Sequence, residues 1–340
     1  MVVAAHLSIQ IPSLTPYLAS SSIIDTARLV AGVDIFFVIS GFIMMVTSRH
    51  SRPVEFAVRR IFRIVPLYWL LTVVLALLAL LAPQWFRTTS LTAAAFVKSL
   101  FFIPYANPGQ LGALRPLLVP GWTLNYEMFF YAVFALTLIL PVGSRLLACG
   151  AVFAMLVGSG LLISDLDPMH SVIGFYTSPQ IFEFWLGMAI GHFYHRGALR
   201  MHPGISLAFL MVGFACLLSG SHPLGDSALA FILPAGSIVL GAVSLDAAGR
   251  TPNWKLPALL GDASYSVYLS HIFTLGLLRV VWIRLGLDHG SVGFAIAFES
   301  VGLALVAIAA VILYRAAEKP THDGLLRWYR RSRLNVAVET

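Results

Sequence analysis

Long apolar runs, separated by short stretches carrying the polar, basic and Pro/Gly residues, set the pattern along this chain. They predict helices near 29–48, 65–83, 122–140, 146–163, 180–195, 205–220, 227–245, 258–278 and 292–314. An α-helix needs about 20 apolar residues to cross the hydrocarbon core of a bilayer, and these runs have roughly that length. The opening stretch 1–12 predicts a tenth span, truncated at its N-terminal end. It lacks the basic n-region and small-residue cleavage site of a signal peptide. The patch "AAFVKSLFFIPY" (94–105) contains Lys98, stops at Pro104 and is too short to span, which predicts an interfacial or re-entrant segment. There is no repeat, heptad or low-complexity segment.

Composition turns the pattern into a class. Of 340 residues, 59% are apolar and 11% charged, with a mean hydropathy of +0.86. Soluble domains carry roughly a quarter charged residues, so lipid is the solvent. The expectation is an all-α polytopic membrane helix bundle of about ten transmembrane helices, the first one truncated. Residues 1–314 form the membrane domain and 315–340 a basic cytoplasmic tail. Cys149 and Cys216 lie in apolar runs with no metal-ligand spacing around them, which points to inert packing residues and to no metal site.

The net charge of +7 is topological. Ten spans put both termini on one side. If that side is cytoplasmic, the inner loops hold Arg49, Arg52, Arg59, Arg60, Arg63, Arg145, Arg196, Arg200, Arg250 and Lys255. The tail adds Arg315, Lys319, Arg327, Arg330, Arg331 and Arg333, making 16 of the 22 Lys and Arg. Arg28, Arg87, Lys98, Arg115, Arg279 and Arg284 are left outside. The positive-inside rule favours this orientation, and no nucleic-acid footprint remains.

Charged side chains at bilayer depth cost about 2.5–3.5 kcal/mol or more on insertion scales and tend to mark function. On this topology His6, Asp34, Glu127 and His271 all fall in the outer halves of their spans, with Glu183 and Glu299 toward the outer ends of theirs. Histidine exchanges a proton near neutral pH and a neighbouring carboxylate fixes its tautomer, so the set reads as an acid–base site. An interhelical hydrogen bond is the plain alternative for any one of them. On the inner side "RRIFRIVPLYW" (59–69) places Arg59, Arg60 and Arg63 along a turn-to-helix segment, with Pro66 at the helix start. Spacings of three and four residues share a helical face. Arginine forks suit phosphate oxygens, and anchoring to anionic lipid headgroups is the alternative. Tyr68 and Trp69 fit an interface belt. A serine nucleophile is not indicated: "FVISGF" lacks the upstream glycine of a nucleophile elbow, and Ser40 and Gly41 favour close helix packing instead.

Several of these stretches together resemble acyltransferase family 3, and among its members the bacterial exopolysaccharide O-acetyltransferases. The residues are "GVDIFFVISGFIM" (32–44), "RRIFRIVPLYW" (59–69), "GWTLNYEMFFYAVFAL" (121–136), "FEFWLGMAIG" (182–191), "GDASYSVYLSHIF" (261–273) and "EKP" (318–320), in family order along nearly the whole chain. The resemblance implies transfer of an acyl group, commonly acetyl from acetyl-CoA, to a hydroxyl of an extracytoplasmic or lipid-linked polysaccharide. It implies the bacterial inner membrane as the location. The family's first helix carries an arginine, ten residues, then a catalytic histidine. His6 matches that histidine, either as base toward the acceptor hydroxyl or as carrier of the acyl group, and the arginine would precede Met1. By the same resemblance Arg59, Arg60 and Arg63, with Tyr68 in their motif, hold the CoA. Glu127 orients His6 or the acceptor, with Asp34 and His271 as weaker candidates, and Trp122, Asn125 and Tyr126 line the acceptor groove. No permanently bound cofactor is expected. The rival reading is a sugar or lipid exporter with an intramembrane proton relay, and an inactive truncated relative is a third.

Overall fold

In the computed structural model, residues 1–17, 26–85, 89–163, 166–218 and 229–339 are described. Arg87 and the expected helix residues 219–220 and 227–228 lie outside them. No strand occurs among the described residues, whose one β-type contact is an isolated antiparallel bridge between Ala106 and Leu114.

The helices are α1 (Val2–Ser8), α2 (Gly32–Thr47), α3 (Pro53–Leu81), α4 (Ala93–Leu100), α5 (Trp122–Thr137), α6 (Val142–Leu161) and α7 (Val172–Thr177). They continue with α8 (Ile181–His195), α9 (Pro203–Leu218), α10 (Leu229–Ala247), α11 (Lys255–Asp262), α12 (Ser264–Arg284), α13 (Val292–Leu313) and α14 (Lys319–Glu339). Six segments among the described residues are long and apolar enough to cross a membrane: Leu29–Thr47, Pro53–Leu81, Val142–Leu161, Ala230–Ala247, Ser264–Arg284 and Val292–Ser332. The protein is a multi-pass membrane helix bundle. Of the other expected spans, α5, α8 and α9 have 16, 15 and 16 residues and α1 has 7. At 1.5 Å per residue the first three reach only about 24 Å.

Three boundaries differ from the sequence expectation. The second long helix begins at Pro53, whose fixed φ suits a first helical position. Arg59, Arg60 and Arg63 are therefore inside α3, and Pro66 is in its interior, not at its start. Pro66 offers no N–H to the preceding turn, and in that turn the Ile64 carbonyl accepts a bond from the Tyr265 hydroxyl at 2.7 Å. The run at 258–278 is two helices, α11 and α12, broken at Ala263. The last run does not end at 314; a π-helical turn, Tyr314–Glu318, carries it into α14.

Contacts divide the chain into two units. The first comprises Met1–His50, Thr137–Trp254 and Ile272–Leu305, the second Ser51–Leu136, Lys255–His271 and Val306–Thr340. In the first, α2 lies on α8 at backbone distance. A Cβ on Gly41 would collide with the Phe184 carbonyl, one on Gly187 with the Val38 carbonyl, and one on Gly191 would stand 2.9 Å from Met45 Cβ. Gly187 and Gly191 form a GxxxG pair, the spacing that lets helices meet closely where lipid supplies no hydrophobic drive. Val38, Ile190, Ala235 and Val239 extend this contact to α10. In the second unit α3 packs on α4 and α14, and Phe62 meets Tyr329 edge-on at 6.3 Å.

Candidate active site

The second unit carries a connected set of polar groups built on the first turns of α3. Arg59 points outward and pairs with Glu55 one turn back. Arg60 turns inward: its guanidinium carbon is 5.5 Å from the Phe56 ring centroid and 5.8 Å from that of Tyr131. The Tyr131 hydroxyl in turn donates to Glu127 Oε1, one turn earlier on α5. A cation, a phenol and a carboxylate thus stand in series, the two ends within electrostatic range of each other. The Arg60 guanidinium also shares a hydrogen bond with the Tyr131 side chain.

Arg63, one turn beyond Arg60, opens onto a cavity of about 230 Å³ lined by Pro66, Leu67, Leu70, Glu318 and Thr321 among others. Glu318 Oε2 accepts a 2.6 Å hydrogen bond from the Ser266 hydroxyl, which links the "EKP" motif to the start of α12. One wall therefore offers donors, the other an acceptor, and the floor is apolar.

Nearer the start of α5, the Tyr268 hydroxyl donates to the Pro120 carbonyl at 2.9 Å, and the Thr123 hydroxyl, with one hydrogen to give, lies 2.9 Å from the Tyr268 oxygen and 3.2 Å from that carbonyl. The His271 ring sits one turn after Tyr268, its Nδ1 2.6 Å from the Tyr268 carbonyl. A carbonyl only accepts, so the hydrogen of this bond is on Nδ1. Trp122 is half-buried and meets Tyr126 edge-on at 6.2 Å. Asn125 is 2% exposed, and its Oδ1 takes no hydrogen bond from the described residues. Tyr68 is wholly buried, stacked on Phe102 at 4.8 Å with Gly121 against its edge; it is not part of the Arg63 cavity.

In the first unit, Asp34 on α2 and Glu183 on α8 bring their buried carboxyls together, and Gln180 Nε2 donates to Asp34 Oδ1 at 3.3 Å. The GxxxG approach of the two helices makes this meeting possible. His6 lies in the last turn of α1, half-buried, on a helix whose Leu7 packs over Gly302. Glu299 is half-exposed on α13. Of the expected site residues, then, the second unit holds Arg59, Arg60, Arg63, Tyr68, Trp122, Asn125, Tyr126, Glu127 and His271, and the first holds His6 and Asp34.

The sequence reading did not single out Tyr131, Ser266 or Glu318 as site residues. Tyr131 was recoverable, because a tyrosine four residues after a glutamate in a helix shares its face. The Ser266–Glu318 bond joins residues 52 apart, and no local pattern announces it.

A family model described as an acyltransferase domain matches residues 1–315. The chain is 41% identical to the exopolysaccharide production protein ExoZ of Rhizobium meliloti, over 91% of this chain and 93% of that protein. It is 27% identical to nodulation protein 10 of Rhizobium leguminosarum bv. viciae, over 74% of each. No solved structure matches it at a significant level.

Proposed function

The chain belongs to the acyltransferase 3 family, and from that premise we propose that it moves acetyl from acetyl-CoA to a hydroxyl of an exopolysaccharide or its lipid-linked precursor. The similarity to an exopolysaccharide production protein supports the choice of acceptor. The observation that carries the donor is the arrangement in the second unit: Arg63 on a cavity, Arg60 beside it, and Tyr131 leading to Glu127.

In this reading Arg63 and Arg60 bind the CoA phosphates through charge-assisted hydrogen bonds. The cavity between Leu67, Leu70 and Glu318 takes the pantetheine arm. The acceptor hydroxyl loses its proton to a base and its oxygen attacks the thioester carbon. The tetrahedral oxyanion collapses to the ester, and the CoA sulfur leaves and is protonated. His6, the residue that matches the family's histidine, is the proposed base. Glu127, held by Tyr131, orients His6 or the acceptor hydroxyl. Asn125 Oδ1 is an available acceptor for a sugar hydroxyl. The excess of Lys and Arg in alternate loops supports a multi-pass inner-membrane protein with both termini in the cytoplasm.

The test is the O-acetyl content of the host's surface polysaccharide, read by proton NMR in a deletion strain complemented with the intact chain, with His6→Ala or with Arg63→Ala. Acetylation is expected with the intact chain and lost with His6→Ala. The purified Arg63→Ala protein should show a KM for acetyl-CoA raised tenfold or more, since a hydrogen bond to a charged group is worth about 1.5–3 kcal/mol. Polysaccharide export that changes while acetylation stays constant would overturn the reading in favour of an exporter.

A further inference from the structure

The segment between α4 and α5 is built to present one arginine. Asn107, 2% exposed, is its organising residue. Its backbone N–H donates to the Ala113 carbonyl at 3.0 Å, and its own carbonyl accepts from Gln110 at 2.9 Å and Gly112 at 3.0 Å. Its side chain accepts from Gly109 N–H at 3.0 Å and donates from Nδ2 to the Arg115 carbonyl at 3.0 Å. Leu111 and Gly112 reverse the chain with φ of 54° and 81°, and for Leu111 that left-handed geometry is held against its intrinsic preference. Beyond Arg115, the Leu117 N–H donates to Ser99 Oγ at 3.0 Å, and Leu117 and Leu118 are buried. Backbone is therefore pinned on both sides of Arg115.

The Arg115 side chain lies over Trp122, its guanidinium carbon 4.4 Å from the ring centroid, and both residues are half-buried. Tyr126 and Tyr268 lie within electrostatic range of the guanidinium. Among the described residues Arg115 makes no ion pair with a carboxylate. Stacking occupies a face of the guanidinium and leaves its planar N–H edge available, the edge that grips a carboxylate or phosphate in bidentate fashion. The guanidinium takes one face of the indole, and the other face is the flat apolar surface on which the C–H face of a sugar ring would rest.

We propose that Arg115 and Trp122 form a specificity subsite for an anionic substituent, a carboxylate or phosphate, borne by the acceptor saccharide. Arg115 clasps the anion and Trp122 carries the adjoining ring, so saccharides with a charged substituent are selected over neutral ones. The inference rests on the proposed function for the identification of the ligand as the acyl acceptor, while the binding itself is separable from catalysis.

The experiment is binding of cellobiouronic acid and of neutral cellobiose to the full chain in phosphatidylcholine nanodiscs, by titration calorimetry without acyl donor. Glucose 1-phosphate against glucose tests the phosphate form in the same way. The intact chain is expected to bind at least one charged saccharide tenfold or more tightly than its neutral partner. Arg115→Gln, which keeps a planar end over Trp122 without the charge, should abolish the difference. Arg115→Lys should retain part of it. No preference in the intact chain, or a preference that survives Arg115→Gln, overturns the proposal. So does a preference that vanishes when phosphatidylglycerol replaces part of the lipid, because the site then reads headgroups, or one removed by saturating CoA, because the anion is then the donor's. A chain that binds charged saccharide as expected but transfers no acetyl keeps this inference and sinks the proposed reaction.

Discussion

The α2–α8 contact and the α3–α5 contact use opposite means. Between α2 and α8 there is almost no side chain: Gly41, Gly187 and Gly191 let carbonyl oxygens and α-carbons meet, and two carboxyls with a glutamine share the end of the seam. Around α3 and α5 the contact is made by large side chains: Phe56 meets Tyr131 and Phe134, Arg60 lies over Tyr131, and Tyr131 donates to Glu127, while Tyr265 of α12 reaches the Ile64 carbonyl. The first arrangement fixes helix positions and tolerates no added atom. The second packs side chain on side chain, and the cavity at Arg63 opens elsewhere on α3, toward Ala317, Glu318 and Thr321.

The sharpest way to break the comparison is Gly187→Leu. The Cβ alone falls on the Val38 carbonyl, and backbone, unlike a flexible side chain, cannot yield. Overpacking a filled core typically costs about 1–3 kcal/mol, and this site should reach the top of that range or exceed it. The expected result is loss of monodisperse protein on detergent size-exclusion chromatography. Gly158→Ala on α6, where a Cβ meets nothing within 4 Å, should leave the elution profile and melting temperature unchanged. Equal tolerance at both positions would mean that the close seam does not hold the first unit together.

Tyr131→Phe probes the other arrangement. It keeps the ring beneath Arg60 and removes only the hydroxyl that donates to Glu127. Acetyl transfer by the purified protein should fall about tenfold or more in kcat, near 1.4 kcal/mol of barrier, with the KM for acetyl-CoA unaltered. A raised KM with unaltered kcat would place Tyr131 with the arginines proposed to bind the donor instead.

The legibility of the two regions in the sequence follows from the same contrast. Membrane character, helix number to a first approximation and the small-residue packing at Ser40 and Gly41 are local properties of composition and spacing. So is the inward face of α3, since Arg60 and Arg63 lie one turn apart. Helix starts were harder: Pro66 attracted the expected boundary because proline favours first turns, while Pro53 was hidden in a polar stretch that reads as loop until the basic residues after it are seen to be helical. The pairings that make a site were out of reach. Asp34 finds Gln180 and Glu183 nearly 150 positions away, Ser266 finds Glu318, and Arg115 owes its place to Asn107 and Ser99. The charged residues could be named individually, but their partners are fixed by how the helices pack.

A third contact shows that burial, and not polarity as such, gives the α3–α5 network its weight. In the loop between α6 and α7, Asp167 accepts from Met169 N–H at 2.7 Å and lies 2.6 Å from His170 Nδ1, in geometry as good as any in the second unit but exposed to solvent. The hydrogen bond from His170, and after it the one from Met169, holds the Asp167 carboxyl below the usual carboxylate range. A depressed carboxylate pKa stabilises the fold above the unfolded value, about 3.9, and the contribution disappears as the pH falls through the folded value. Asp167→Asn should therefore lower the melting temperature slightly at pH 7, in line with the small worth of exposed pairs, and the difference from the intact chain should close as the pH is taken below about 4. A large drop at pH 7, comparable with that of a buried substitution, would show that this loop is tied into the packing of α6 and α7. Burial would then not separate strong polar contacts from weak ones in the first unit.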